Sequence, residues 1–317
     1  MMKAFDFDNG GTMPALGLGT WKADPGVVAS VVRKAIGIGY RHFDCAPIYG
    51  NEAEIGAAIN AAISAGEIRR EELWITSKLW NSDHARADVA PALKRTLDDL
   101  GLEYLDLYLI HWPIAFKPGV IFPKDAQEYL SAEQAPLNQT WAGMEQATSS
   151  GMCRHIGVSN FSRNKIEKLL DTATIRPAVN QVESHPYLTQ EDLFNWCHEQ
   201  DIVLTAYSPL GSGDRAEAMK KADEPSLLKD PVILSIAEKH ALSAGQVLIA
   251  WALNRGTSVI PKSSNPKRLR ENFAAGEASL GAAAMSEIDN LDRGYRFVDG
   301  TFFTGDNSPY SLDSLWG

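Results

Sequence analysis

Four residues of this 317-residue chain have the types needed to hand one proton to a substrate: Asp44, Tyr49, Lys78 and His111. Asp44 and Tyr49 stand in RHFDCAPIYGNE (41–52), where a short apolar run ends on a carboxylate and a phenol follows five residues later. A free tyrosine has a pKa of about 10, so it holds its proton too tightly for efficient donation near neutrality. An ammonium beside it favours the phenolate and lowers that value, while a carboxylate keeps the ammonium charged and oriented. Lys78 and Asp44 can fill those parts, and an imidazole N–H of His111 can orient and polarise a carbonyl. Taken singly, each has an ordinary explanation as a turn cap, a snorkelling lysine, a core histidine or a half-buried aromatic. Taken together they make an acid, its tuner, its anchor and a positioning donor. What they lack is a nucleophile, so a reductant has to come from outside as a hydride carrier.

These four must be positioned by strand ends. Eight short apolar runs read as strands: 16–20, 41–45, 73–79, 106–112, 155–159, 179–183, 202–207 and 257–262. Stretches of helical period lie between them, such as Val89, Leu93, Leu97 and Leu100, or Ile166, Leu169, Leu170 and Ala173. Gly101 and Gly151 follow such stretches where a helix should stop. Pro91 is accommodated if its helix starts near Asp88, which puts the proline in the first turn. The alternation suits a closed (β/α)8 TIM barrel or a doubly wound sheet, and no linker divides the chain. One barrel domain over 1–317 is therefore expected. A hairpin turning at Asn9-Gly10-Gly11 would plug its floor. In a parallel barrel the carboxyl ends of the strands share one rim, where Asp44, Lys78 and His111 can meet near Tyr49. Segments 113–137, 209–229 and 294–317 are too long for plain connections and read as pocket walls; the last carries Phe302, Phe303, Tyr310 and Trp316.

Two further constellations sit at strand ends. In IPKSSNPKRLREN (260–272), Lys262, Ser263 and Ser264 precede a helix start near Pro266, with Lys267, Arg268 and Arg270 following. Hydroxyls, cations and helix amides together suit a phosphate. Lys267 and Arg270 are equally well read as solvated. Ser159, Asn160 and Gln181 could hydrogen-bond a carboxamide, and Tyr207 could stack on a flat ring. GLGTWK (17–22) is not GxGxxG, and there is no GxxxxGK[ST], which argues against a Rossmann domain and a P-loop.

Composition narrows the partners. A net charge of −10 argues against a general nucleic-acid or anionic-membrane binder. No apolar stretch is long enough to span a bilayer and the start lacks a signal-peptide pattern. Cys45, Cys153 and Cys197 cannot all pair and have no metal-ligand spacing, so no metal and a cytoplasmic location are expected.

The motifs GLGTW, YRHFDCAPIYGNE, ITSKLW, DLYLIHWP, IGVSNF, NQVESHPY and IPKSS....R..EN occur in order along essentially the whole chain. In these it resembles the aldo-keto reductases. The resemblance implies a (β/α)8 barrel with NADP(H) extended across its rim and a catalytic set at Asp44, Tyr49, Lys78 and His111. It further implies nicotinamide contacts at Ser159, Asn160, Gln181 and Tyr207, with Thr20, Trp21 and Asp44 also at the cofactor. Diphosphate contacts fall on Ser208, Leu210 and Ser212. Contacts to the 2′-phosphate and adenine fall on Lys262, Ser263, Ser264, Arg268, Glu271 and Asn272. HWPIAFKPG (111–119) and GYRF (294–297) resemble the xylose reductase and aldose-6-phosphate reductase branch.

The expected activity is NADPH-dependent reduction of aldehydes, including aldoses, with Tyr49 as proton donor and Trp21, Trp80, His111 and Trp112 lining the substrate pocket. The expected partners are a small aldehyde or sugar, with no nucleic acid or membrane, and the protein a monomer or weak homodimer. Phosphate-sugar reductases of the resembled branch tend to carry a lysine directly after the tyrosine, and Gly50 stands there in this chain. Free aldoses and small aldehydes are therefore expected ahead of aldose 6-phosphates, with Lys117 and Arg296 as the remaining candidate phosphate anchors. The alternatives are an aldose-6-phosphate reductase, a Schiff-base aldolase using Lys78, and an NADPH-binding subunit without turnover.

Overall fold

The computed structural model describes residues 3–305 and 308–317. Its elements follow the expected alternation. They begin with β1 (Ala4–Asp6), β2 (Thr12–Pro14), β3 (Leu18–Gly19), α1 (Val28–Ile38), β4 (His42–Asp44), α2 (Glu52–Ser64), β5 (Trp74–Leu79) and α3 (Arg86–Leu100). β6 (Leu105–Ile110), β7 (Ala115–Phe116), β8 (Tyr129–Leu130), α4 (Leu137–Ser149), β9 (Cys153–Ser159), α5 (Arg163–Leu170), β10 (Val179–Glu183) and α6 (Glu191–Glu199) come next. The chain finishes with β11 (Val203–Tyr207), α7 (Pro231–His240), α8 (Ala244–Asn254), β12 (Ser258–Val259), α9 (Pro266–Ala274), α10 (Ala282–Asp289) and α11 (Leu312–Trp316).

Eight strands pair in parallel in the order β12-β11-β10-β9-β6-β5-β4-β3. A parallel bridge between Leu16 and Val259 joins the two ends and closes the barrel, with Gly17 N donating to Val259 O at 2.9 Å. Closure here needs small residues. A Cβ on Gly17 would lie 2.8 Å from the His42 ring, and one on Gly19 would lie 2.8 Å from the Ile260 carbonyl oxygen. β5 and β6 are buried at every position, as parallel strands covered on both faces must be.

Helix faces follow from spacing. α1 buries Val28, Val31, Val32, Ala35 and Ile36, one stripe against the sheet. α8 buries seven consecutive residues from Val247 to Leu253 and meets α7 at 89°. No single described helix is long and apolar enough to cross a membrane. Gly101 takes the left-handed conformation after α3, and Gly151 follows α4 with φ of 80°. One expectation needs correcting: α3 starts at Arg86, so Pro91 lies inside the helix in its second turn. Lacking an N–H, it leaves the ladder one bond short, and the buried stripe around it holds the helix together. Ala173 likewise falls beyond α5, which stops at Leu170.

At the floor, β1 and β2 form the expected hairpin, with Phe5 opposite Met13. Phe7 stacks on Trp74 at 5.5 Å, and this hairpin seals the amino ends of the strands. The opposite rim carries the cavity.

Candidate active site

Asp44 ends β4, Lys78 stands one residue before the end of β5, and His111 follows β6. The backbone therefore delivers them to one rim, and the turn 47–50 brings Tyr49 back over them. Lys78 is wholly buried, and its Nζ donates to Asp44 Oδ2 at 2.7 Å, to the Cys45 carbonyl at 2.9 Å and to Tyr49 Oη at 3.3 Å. Three acceptors use its three protons. Because Tyr49 Oη accepts from Lys78, its own proton is free to point into the cavity. The second Asp44 oxygen accepts from Gln181 Nε2 at 2.7 Å, and its carbonyl accepts from Thr20 Oγ1 at 2.7 Å.

The electrostatics depart from the expectation for the phenol. Burial pushes Tyr49 well above the ordinary tyrosine value, and the charge of Asp44 pushes the same way. Burial outweighs the loosening that Lys78 can give, since its charge is also engaged by Asp44 and by a backbone carbonyl. In the protein alone Tyr49 is a firmly protonated phenol. Burial also drives His111 well below the ordinary imidazole value, with Lys78 and then His84 adding to the shift. A neutral imidazole thus faces the cavity, its Nδ1 buried without a protein partner and its ring edge-on to Tyr49 at 5.9 Å.

Asn160 ties the neighbouring strands to this centre. Its φ of 64° is costly for a residue with a side chain. The amide offsets that cost by donating to the His111 carbonyl at 2.9 Å while its Oδ1 accepts from Tyr207 Oη at 2.8 Å. Ser159 Oγ donates to the Gln181 carbonyl at 2.8 Å.

Asp44, Tyr49, His111, Ser159, Asn160, Gln181 and Tyr207 line one cavity of about 630 Å³ with two different ends. Near Tyr49 the wall is Trp21, Ile48, Trp80, Trp112, Phe122, Val298 and Phe302. Away from it run Ser159, Asn160, Gln181, Tyr207, Ser208, Leu210 and Ser212, reaching Lys262, Ser263, Ser264 and Arg268. Each of the three long segments contributes to the wall, as expected. Of the tail aromatics only Phe302 lies on the cavity. Phe303 is buried beneath it, Tyr310 bonds to Ala115 N and the Leu130 carbonyl, and Trp316 packs on Trp112.

Besides the fully buried Lys78, three cofactor candidates are not brought to the cavity wall. Thr20 is buried behind Asp44, Glu271 sits 3.7 Å from Lys267 along α9, and Asn272 is buried. The amides at the start of α9 are also already used, since Asn265 Oδ1 accepts from Lys267 N and Arg268 N. An Asn before a helix-starting proline makes that cap. Cations and hydroxyls are what this end offers an anion.

The chain matches the aldo/keto reductase family over residues 11–293. The chain belongs to the aldo/keto reductase family. An aldo/keto reductase of Synechocystis sp. is 56% identical over 315 residues, covering 99% of this chain and 96% of the relative. Aldo-keto reductase family 1 member A1 of Bos taurus is 47% identical over 291 residues, and that of Homo sapiens 45%, each covering 91% of this chain and 89% of the relative. None of these names carries a sugar, so the narrower likeness to xylose reductases rests on the motifs at 111–119 and 294–297 alone.

What sequence reading missed in this aldo/keto reductase is a clasp. Lys22 Nζ donates to Ser212 Oγ at 2.7 Å and pairs with Asp214, which also accepts from Lys262 Nζ at 3.2 Å. Asp214 belongs to the long segment after β11, so that segment is tied to residues after β3 and β12 at once. Lys22 and Lys262 hold the Asp214 carboxyl below its usual range against the opposing effect of partial burial. Burial lowers Lys22. A lysine beside Trp21 and an aspartate in TAYSPLGSGD were the available signals.

Proposed function

We propose that this aldo/keto reductase reduces aldehydes, free aldoses among them, to primary alcohols with NADPH, and that Asp44, Tyr49, Lys78 and His111 carry the chemistry. The observation that carries the reading is the Lys78 bond into Tyr49 Oη at 3.3 Å, which turns the phenolic proton toward a cavity edged by a neutral His111. Tyr49 gives its proton to the carbonyl oxygen as charge develops there. His111 presents a ring N–H to the same oxygen and orients it. Lys78, held by Asp44, stabilises the phenolate left behind.

The residues present fit a nicotinamide dinucleotide phosphate. Ser159, Asn160 and Gln181 offer amides and a hydroxyl for a carboxamide, Tyr207 offers a ring face, and Lys262 and Arg268 offer charge for a terminal phosphate. The chemistry supplied by that cofactor when bound is a hydride to the carbonyl carbon. A lysine nucleophile is disfavoured, because a buried ammonium donating to three acceptors has no lone pair to offer a carbonyl.

Free sugars are favoured over phosphorylated ones by the aromatic end of the cavity. Lys117 is exposed and Arg296 stacks on Trp316 at 3.7 Å, and neither lines the cavity. The test is nicotinamide absorbance followed with aromatic and aliphatic aldehydes, xylose, glucose and glucose 6-phosphate at one salt concentration. We expect kcat/KM to be higher for aldehydes and free sugars than for the phosphate ester. A preference for glucose 6-phosphate would overturn the substrate class, and no oxidation of NADPH with any carbonyl would overturn the activity.

A further inference from the structure

Glu183 ends β10, two residues after Gln181, and is wholly buried. Oε1 accepts from Phe297 N at 2.6 Å and Oε2 from Val298 N at 2.8 Å, while the His185 ring bonds Oε1 at 2.8 Å. Among the described residues these two amide bonds are the hydrogen bonds joining 296–300 to a barrel strand. Val298, on the stretch so held, and Phe302 just beyond it wall the cavity beside Trp112, whose ring Phe302 meets edge-on at 5.8 Å. The same strand thus grips Asp44 through Gln181 and the wall through Glu183. A buried carboxylate is costly unless fully bonded. Here burial is outweighed by His185, the Phe297 amide and the nearby Arg296, which together hold Glu183 below its usual value.

We propose that Glu183 is a positioning residue that sets the size and shape selectivity of the carbonyl end by fixing the backbone at Phe297 and Val298. This rests on the reading that a carbonyl substrate occupies that end. Glu183 does not itself line the cavity. It acts through Val298 and the turn to Phe302, so its loss should alter which substrates fit and leave the proton-donating set in place.

The experiment compares wild type with Glu183→Gln, which keeps the size of the side chain but turns one accepting oxygen into an NH2 facing an amide N–H. KM for a bulky aromatic aldehyde should rise about tenfold or more, the scale of losing a hydrogen bond to a charged group. The kcat for propanal and the Kd for NADPH should stay within about threefold, a difference near or below 0.7 kcal/mol. Hydrogen exchange at the Phe297 and Val298 amides should accelerate. Unchanged exchange there overturns the clamp. So does a lowered Tm with an unchanged ratio of KM values, which would make Glu183 a scaffold residue only, and so does an equal loss of turnover with both aldehydes. If Glu183→Gln does not fold, Glu183→Asp, one methylene shorter, is read the same way. Wild type inactive with every aldehyde would instead sink the proposed function, and the exchange data would still judge the clamp.

Discussion

The two ends of the cavity are built on opposite principles. One carries Lys22, Asp214, Lys262 and Arg268, while the other carries five aromatic side chains and two aliphatic ones around Tyr49 and His111. Charged groups recognise a ligand by its fixed charge and act over distance. Aromatic walls recognise shape and exclude water, which strengthens every interaction near the reacting atoms. An enzyme of this design can hold one invariant ligand tightly and stay permissive toward the other. The proposed proton donor, Tyr49, sits at the boundary between the two.

The sharpest way to break that division is Tyr49→Phe. It should lower aldehyde reduction by about 100-fold to 10,000-fold, the usual weight of a general acid, with NADPH affinity within a few-fold. NADPH binding that fell in parallel would mean the two ends are not separable. Arg268→Ala probes the charged end. It should weaken NADPH about ten- to a hundred-fold while NADH changes little, as loss of a charge-assisted contact predicts. Equal loss for both dinucleotides would remove Arg268 from reading a 2′-phosphate.

A smaller effect is expected behind the cavity. Glu52 is buried at the start of α2, accepting from Ser77 Oγ at 2.5 Å and Thr96 Oγ1 at 3.3 Å, and burial raises it from 4.5 to about 7. The folded state therefore binds an extra proton between those values, and stability falls as pH rises from 4.5 to about 7, with the cost complete above. The size is at most about 3 kcal/mol. Glu52→Gln should flatten the change in Tm between pH 5 and 8 and leave both cavity ends unaltered. A slope as steep as wild type would show that Glu52 is not the group responsible.

Much of this molecule could be read in advance because parallel strands buried on both faces appear as apolar runs. Asp44, Lys78 and His111 were visible as the polar residues that interrupt them. The Lys22–Asp214 pair was not, since its members are 192 residues apart and each alone reads as solvated. Glu183 ends a strand as Asp44 does, and nothing in its neighbours says that one faces the reaction centre and the other the tail. The phenol's shift was misjudged for a related reason. A lysine can be found by spacing, but the burial that outweighs it, and the carboxylate that claims its charge, exist only once the barrel is closed.

The Asp44 carboxylate has a consequence for how this chain acquires its activity. One oxygen is held by Lys78, 34 residues along, and the other by Gln181, 137 residues along, from across the barrel. Contacts so distant in sequence form late, after the entropy of closing a long loop has been overcome. During refolding, helical ellipticity should recover first and reductase activity last. Turnover is then a reporter of barrel closure, silent in any collapsed species whose two halves have not yet met.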